Sequence, residues 1–258
     1  MIVLAGQRSQ RSVLSKRAQV SHDIMVPVGG EPAISRVLRS VSEATATGNI
    51  VLVGPDTGAL SSDHELADLI SRSGLDWVAP ADDPATSAIL GSSKVGYPIF
   101  ITTADHALLT PQIIDDFCNK AVSLDVDFSA GLVPFDLVQR DYPKSRRTVL
   151  RFYRELYCGA NLYFIKNKKG LRAFEFWKQM QPIRKKPHAM ARRIGILLFV
   201  KYLLKRLTLE SAISELSVKI GCNLGIVKLN SARAAIDVDS IEDWQLAEAI
   251  IAKDVVSE

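Results

Sequence analysis

The sequence predicts an α/β protein with a Rossmann-like, three-layer α/β/α build and a mostly parallel, mixed central sheet. Three observations carry this. Short apolar runs alternate with longer helical patterns through the first half of the chain, and a β-α-β-α order gives parallel strands with helices on both faces. The first run, Met1-Ile-Val-Leu-Ala5, is apolar throughout and breaks at Gly6, as a strand buried on both faces does. A length of 258 residues with 47% apolar and 23% charged content suits a soluble globular protein of one large α/β domain or two small ones.

The elements follow in order. Met1–Ala5 is a strand, Pro32–Thr45 a helix and Asn49–Gly54 a strand that stops at Gly-Pro. His64–Ser73 is a helix, Asp76–Ala79 a short strand, and a helix begins over Thr86–Leu90. Tyr97–Thr103 is a strand, and Pro111–Ser123 is a helix introduced by Thr110 at the N-cap with proline behind it. Asp127–Val133, Thr148–Tyr153 and Gly159–Ile165 read as strands. Three helical stretches follow, Lys169–Met180, His188–Leu204 and Leu209–Ile220, then a strand, Leu224–Leu229, and a closing helix, Trp244–Ala252. Because a strand returns after them, the helices over about 169–220 are expected to be an insertion within a single domain, residues 1–258.

Composition narrows the class. Cys118, Cys158 and Cys222 are odd in number, far apart and without metal-ligand spacing, which predicts reduced, buried thiols in a cytoplasmic protein. The N-terminal apolar run has no basic segment before it and reads as a strand, not as a signal peptide. Net charge is only +4, but Arg184, Lys185, Lys186, Arg192, Arg193, Lys201, Lys205 and Arg206 crowd into one segment.

Three constellations carry chemistry. In Ile101-Thr-Thr-Ala-Asp105 a buried strand ends on a carboxylate. Ligands of open α/β sheets sit beyond the carboxyl ends of the strands, where a carboxylate can hold a Mg²⁺ that bridges phosphates. A helix cap or loop tie is the structural alternative for Asp105. In Asp237-Val-Asp239-Ser-Ile-Glu-Asp243 alternation puts Asp237 and Asp239 on one face, an arrangement that calls for a cation or a basic partner. Ser240, Glu242 and Asp243 suit a helix N-terminus, and position favours Asp239 over Asp237 as the metal ligand. The third constellation is the loop after the first strand, with Gly6, Gln7, Arg8 and Arg11, and Lys16 and Arg17 further on. A basic loop there can face phosphates with backbone N–H and guanidinium groups, or it is a solvated loop.

Together these pieces resemble the MobA-like NTP transferases, nucleotidyltransferases with a GT-A-type fold. Leu4-Ala-Gly-Gln-Arg8 is similar to that family's opening loop, and Val26-Pro-Val-Gly-Gly-Glu-Pro32 to its PVGGKPM turn. Thr103-Ala-Asp105 resembles its acidic strand end, Gly159-Ala-Asn161 its GGN segment, and Ile236-Asp-Val-Asp239-Ser-Ile-Glu-Asp243 its closing DVDTPED. The resemblance covers the chain except the helical insertion. It implies nucleotide binding by Leu4, Ala5, Gly6, Gln7, Arg8, Thr86, Ser87 and Ala104. It implies catalytic roles for Arg8, Arg11 and Asp105, with Mg²⁺ on Asp105 and Asp239, and acceptor binding by Gly159, Ala160 and Asn161. It departs at Asp23, which stands where the family carries a phosphate-binding lysine. Arg11, Lys16 or Arg17 is then expected to supply that charge.

The implied reaction moves a nucleoside monophosphate from CTP or GTP to a phosphorylated small molecule or lipid precursor and releases pyrophosphate. A GT-A glycosyltransferase using a nucleotide sugar and a catalytically degenerate binding relative are the alternatives. The first suits the Arg-rich loop less well, and Asp23 motivates the second. The run Ile194–Val200 is too short to span a bilayer, which takes about 20 residues. With basic flanks over 184–206 it suits an anionic membrane surface, a buried helix or a homodimer contact. It lacks the interleaved aromatics of a nucleic-acid site. The expected location is the cytoplasm, with peripheral contact at the inner face of the membrane.

Overall fold

A computed structural model describes residues 1–6, 12–46, 48–183 and 186–257. In chain order its elements are β1 (Ile2–Leu4), α1 (Val13–Ala18), β2 (Pro27–Val28), β3 (Glu31–Pro32), α2 (Ala33–Glu43), β4 (Val51–Val53), α3 (Thr57–Ser62), α4 (His64–Ser73), β5 (Asp76–Val78), α5 (Pro84–Ser92), β6 (Ile99–Thr103) and α6 (Pro111–Ser123). The second half adds β7 (Phe128–Pro134), α7 (Phe135–Asp141), β8 (Val149–Phe152), β9 (Glu155–Ile165), α8 (Leu171–Met180), α9 (Pro187–Ile194), α10 (Ile196–Leu203), α11 (Leu209–Ile220), β10 (Leu224–Lys228) and α12 (Ile241–Ser257).

The main sheet runs β10-β7-β9-β6-β1-β4-β5, with β8 paired to β9. β1 pairs in parallel with β4 and β6, and β4 with β5. β9 is antiparallel to both β6 and β7, and β10 is parallel to β7. The sheet is thus mixed and mostly parallel, as the sequence predicts.

Alternation along the central strands feeds two cores. Val3, Leu52 and Phe100 join residues of α2, α4 and α6 on one face. Ile2, Leu4, Val51, Val53, Ile99 and Ile101 meet Ala85 and Ala88 of α5 and Phe174 of α8 on the other. α8 therefore completes the outer layer, and α11 packs Leu209 and Ile213 against Leu132 of β7, Tyr157 of β9 and Ile226 of β10. Among the described helices of the predicted insertion, only α9 and α10 contribute no residue to the cores on the sheet's two faces. A smaller third core joins Leu14, Val26, Val28, Ile236, Val238 and Ala247. It seats the β2–β3 hairpin on α12, where Trp244 Nε1 donates to Pro27 O at 2.6 Å. The ends of β1 and β4 approach so closely that a Cβ at Gly54, whose φ is +97°, would lie 2.7 Å from Gly6 N.

The predicted helix over 188–204 is in fact two. Gly195, at φ +116°, closes α9 by donating to Ala191 O at 2.8 Å and opens α10. The sequence reading took the apolar period straight through this glycine. α1, α3 and α7 were not foreseen, because six or seven residues are too few to reveal a helical period. All three cysteines are buried and free, and burial pushes their thiols up, Cys118 to about 12 and Cys222 to about 11. No helix among the described residues is long and apolar enough to cross a membrane.

Candidate active site

β6 delivers Asp105 to the carboxyl edge of the sheet. Ala104 N donates to Leu4 O at 2.9 Å and Ala5 N to Val53 O at 2.8 Å. The backbones of these residues thus extend the ladder past β1 and set Gly6 at its mouth. Thr103 Oγ1 donates to Asp105 Oδ1. Val238 N donates to Asp105 O at 3.0 Å, which draws the 236–239 segment alongside. Ile236 and Val238 are buried in the third core, so alternation turns Asp237 and Asp239 to the opposite side.

The three carboxylates interact. Burial, then Asp239, then Asp237 raise Asp105 from 3.8 to about 7, against the opposing hydrogen bond from Thr103. Asp237 is held by two partners. Arg147 reaches its Oδ1, and Asn161 Nδ2 donates to its Oδ2 at 2.8 Å. Arg147 also pairs with Asp243 and donates from Nε to Ser145 Oγ at 3.1 Å. Its side chain is only 8% exposed, against 22% for that of Asp237. Asp239 is exposed at the edge of this cluster.

Asn161 is aimed by a bulge. Leu132 opposes Gly159 and Ala130 opposes Tyr163, so four steps on β9 answer two on β7. Asn161 adopts φ +48° there. Bulges beside sites redirect a side chain in this way. Gly159 is exposed, with nothing within 4 Å of where a Cβ would stand. Ala160 points into the core at 2% exposure and offers only its backbone.

The remaining predicted residues divide. Gln7, Arg8 and Arg11 lie outside the described residues. Thr86 Oγ1 donates to Asp83 Oδ2 at 2.6 Å, and the buried Ser87 Oγ accepts from Ala81 N at 3.0 Å. Both hydroxyls hold the turn between β5 and α5, and Pro80 of that turn lies against Gly6. Asp23 accepts from Ser12 Oγ and, at 3.2 Å, from Ser15 N. It therefore serves the N-terminus of α1. Ser240 caps α12, accepting from Asp243 N at 3.1 Å.

The donor set fits a hard cation. Asp105 and Asp239 repel each other, and a divalent ion relieves that repulsion. Among the described residues no three His, Cys, Asp or Glu are placed to hold a metal ion by themselves. Two carboxylates completed by water and phosphate are what Mg²⁺ commonly takes. An open groove of about 400 Å³ lined by Thr110, Ile113, Ser231 and Arg233 shares no side chain with this cluster.

Residues 1–160 match the family model for the MobA-like NTP transferase domain. The chain belongs to that family. A solved "hypothetical transferase" structure from Thermus thermophilus is similar over 95% of this chain and 100% of its own, with TM-score 0.75 and 21% identity. A CMP:2-keto-3-deoxy-manno-octonic acid synthetase complexed with CTP aligns over 98% and 99%, with TM-score 0.59 and 9% identity. The 4-diphosphocytidyl-2C-methyl-D-erythritol synthase of Anaerococcus prevotii aligns over 97% and 95%, with TM-score 0.54 and 13% identity. No curated protein matches the sequence.

For a MobA-like transferase, two site residues escaped the sequence reading. Arg147 is the first. The carboxylate pair at 237 and 239 called for a cation, but the sequence holds 32 Lys and Arg residues and nothing local singles out one 90 residues away. His106 is the second. It is 1% exposed and flanks Asp105. Burial lowers its pKa, against the opposing effect of Asp237 and the backbone of Arg233 and Ala234. No signal in the sequence separates it from a core histidine.

Proposed function

We propose that this protein is a Mg²⁺-dependent nucleotidyltransferase. It transfers a nucleoside monophosphate from CTP or GTP to a phosphorylated small-molecule or lipid-precursor acceptor and releases pyrophosphate. The observation that carries the reading is the convergence of Asp105, Asp239 and the Asp237–Asn161 pair beside the mouth of β1, in a member of the MobA-like family. The CTP in the octonic acid synthetase complex favours CTP as the donor.

In this reading an acceptor phosphate oxygen attacks the α-phosphorus. The bond to the β-phosphate oxygen breaks, and pyrophosphate leaves with the electron pair. Asp105 and Asp239 would hold Mg²⁺, which supplies charge neutralisation between carboxylates and phosphates. Arg8 and Arg11 stabilise the β- and γ-phosphates, and the backbone of Leu4, Ala5, Gly6 and Ala104 walls the site. Thr86 and Ser87 shape the base pocket through the turn they hold. Gly159 leaves room for the acceptor, and Asn161 orients it. Arg147 fixes Asp237 and Asp243 and so keeps the acidic segment in register with Asp105. Catalysis is then mostly positioning and electrostatics.

The test is pyrophosphate release from the four nucleoside triphosphates across a panel of phosphorylated acceptors, beside thermal shifts with and without Mg²⁺. Release with one triphosphate and one acceptor class is expected. No release and no Mg²⁺-dependent stabilisation by any triphosphate would overturn the reading. A preference for a nucleotide sugar in competition would move it to glycosyl transfer.

A further inference from the structure

We infer that α9 and α10 form a docking surface for an anionic lipid bilayer, a function separate from nucleotidyl transfer and independent of it. α10 is apolar on two faces, and only one is covered. Inward, Leu198 is 4% exposed and packs with Leu207 and Ala212. Tyr202 meets Phe152 edge-on, with ring centroids 6.2 Å apart. Outward, Ile196 is 70% exposed, Leu197 65%, Val200 41%, and Leu203 and Leu204 61% each. Positions 196, 197, 200, 203 and 204 repeat as one helical face, so the exposure is a stripe and not scatter. A contiguous apolar patch of this kind marks an interaction surface.

Charge identifies the occupant. The sequence has no Asp or Glu between Glu175 and Glu210, and this stretch holds the basic cluster of 184–206. Arg192 and Arg193 end α9 just before the stripe, and Lys205 and Arg206 follow it. An apolar centre with a cationic rim matches acyl chains beneath anionic headgroups. A second copy fits badly, because a two-fold contact sets this basic segment against itself. Nucleic acid would lay phosphates on Ile196, Leu197 and Leu203, which can neither bond nor neutralise them. α10 has eight residues, far short of a span, so it lies in the plane of the interface.

The test is co-sedimentation of the full-length protein with vesicles of phosphatidylcholine alone and with about one-third phosphatidylglycerol. Binding to the anionic vesicles only, weakening as salt rises, is the expected result. Leu197→Ser/Leu203→Ser/Leu204→Ser should abolish binding while circular dichroism and Tm stay unchanged, since all three side chains are exposed. Lys205→Glu/Arg206→Glu should weaken it roughly 25-fold or more, at about fivefold per basic residue. Failure to bind anionic vesicles would overturn the inference, as would equal binding to both vesicle types at every salt concentration. A dimer in light scattering that the triple Ser variant dissociates, without vesicle binding, would assign the face to a second copy instead. Binding to soluble polyglutamate but not to vesicles would assign it to an acidic protein.

Discussion

Two regions of this chain treat charge and apolar surface in opposite ways. Around Asp105, whose own carboxylate is strained by burial and by Asp239 and Asp237, the neighbouring charges are answered within the chain. Asp237 has Arg147 and Asn161, Asp243 has Arg147 and Ser240, and the apolar residues of the acidic segment sit in a core. Over 184–206 cations gather without acids in the sequence, and a helical face of Ile and Leu stands in solvent. The family model stops at residue 160, before that second region begins. The difference separates a region that pairs most of its charges internally from one that leaves an apolar helical face and the cations Arg192, Arg193, Lys205 and Arg206 exposed, with Lys201 paired to Glu215.

The sharpest way to break the comparison is Asp105→Asn. Turnover should fall roughly a thousandfold, because about 4 kcal/mol of metal and phosphate neutralisation is lost. Stability should move the other way. The folded chain keeps a proton on Asp105 up to about 7, whereas the unfolded chain gives it up near 3.8. The wild type therefore loses stability as pH rises across that window, and the loss is complete above it. Asp105→Asn should flatten this dependence and raise Tm at pH 8, measured without metal. A turnover loss with an unchanged pH profile would show that Asp105 is not the strained carboxylate.

Next in size is Arg147→Met. It leaves Asp237 and Asp243 without their cation in a place where the Arg147 side chain is 8% exposed. Removing one partner of a buried pair costs about 3–5 kcal/mol. Urea unfolding should show that loss, and adding Asp237→Asn should return part of it as a coupling between the two positions. Additive losses would mean that Arg147 and Asp237 do not act as a unit.

The part of the site that could be read in the sequence was the part built from neighbours in the chain. Asp105 at the end of an apolar run, the alternating 236–239 segment and the Ser240 cap are all local patterns, and each lies where its pattern put it. The central sheet was legible for the same reason, since Ile2–Leu4 and Val51–Val53 are continuous apolar runs. What could not be read depends on contacts made across the fold. Arg147 meets Asp237 only because β9 returns between β6 and β7, and the bulge that turns Asn161 exists only as a mismatch of registers. Gly195 was legible in principle, but the apolar residues on both sides outweighed it until its φ of +116° was known.

A smaller effect contrasts the two sides of α10. Leu198→Ala should cost about 2–3 kcal/mol, since it empties a buried contact with Leu207 and Ala212. Leu197→Ser, one residue away and 65% exposed, should stay within about 0.5 kcal/mol. Urea midpoints of the two variants measure this directly. If Leu197→Ser cost as much as Leu198→Ala, the outer face would already be covered in solution and the contrast between the two regions would fail.

A further small effect is expected of Asp23→Lys, and it bears on the chemistry most directly. Asp23 occupies the place of a family lysine, yet its Oδ1 accepts from Ser12 Oγ and Ser15 N at the start of α1. Lysine there removes an acceptor from a helix N-terminus and sets a cation against the positive end of the helix. The cost should be about 1 kcal/mol, a Tm lowered by roughly 2–4 °C in a chain of this size. Because α1 follows directly in sequence on Arg8 and Arg11, loosening its first turn should lower turnover with the triphosphate, not raise it. A large gain in turnover would instead mean that the chain had lost a phosphate ligand which lysine restores. The acidic cluster would then belong to a degenerate enzyme, and the contrast would lie between a retired site and a working attachment.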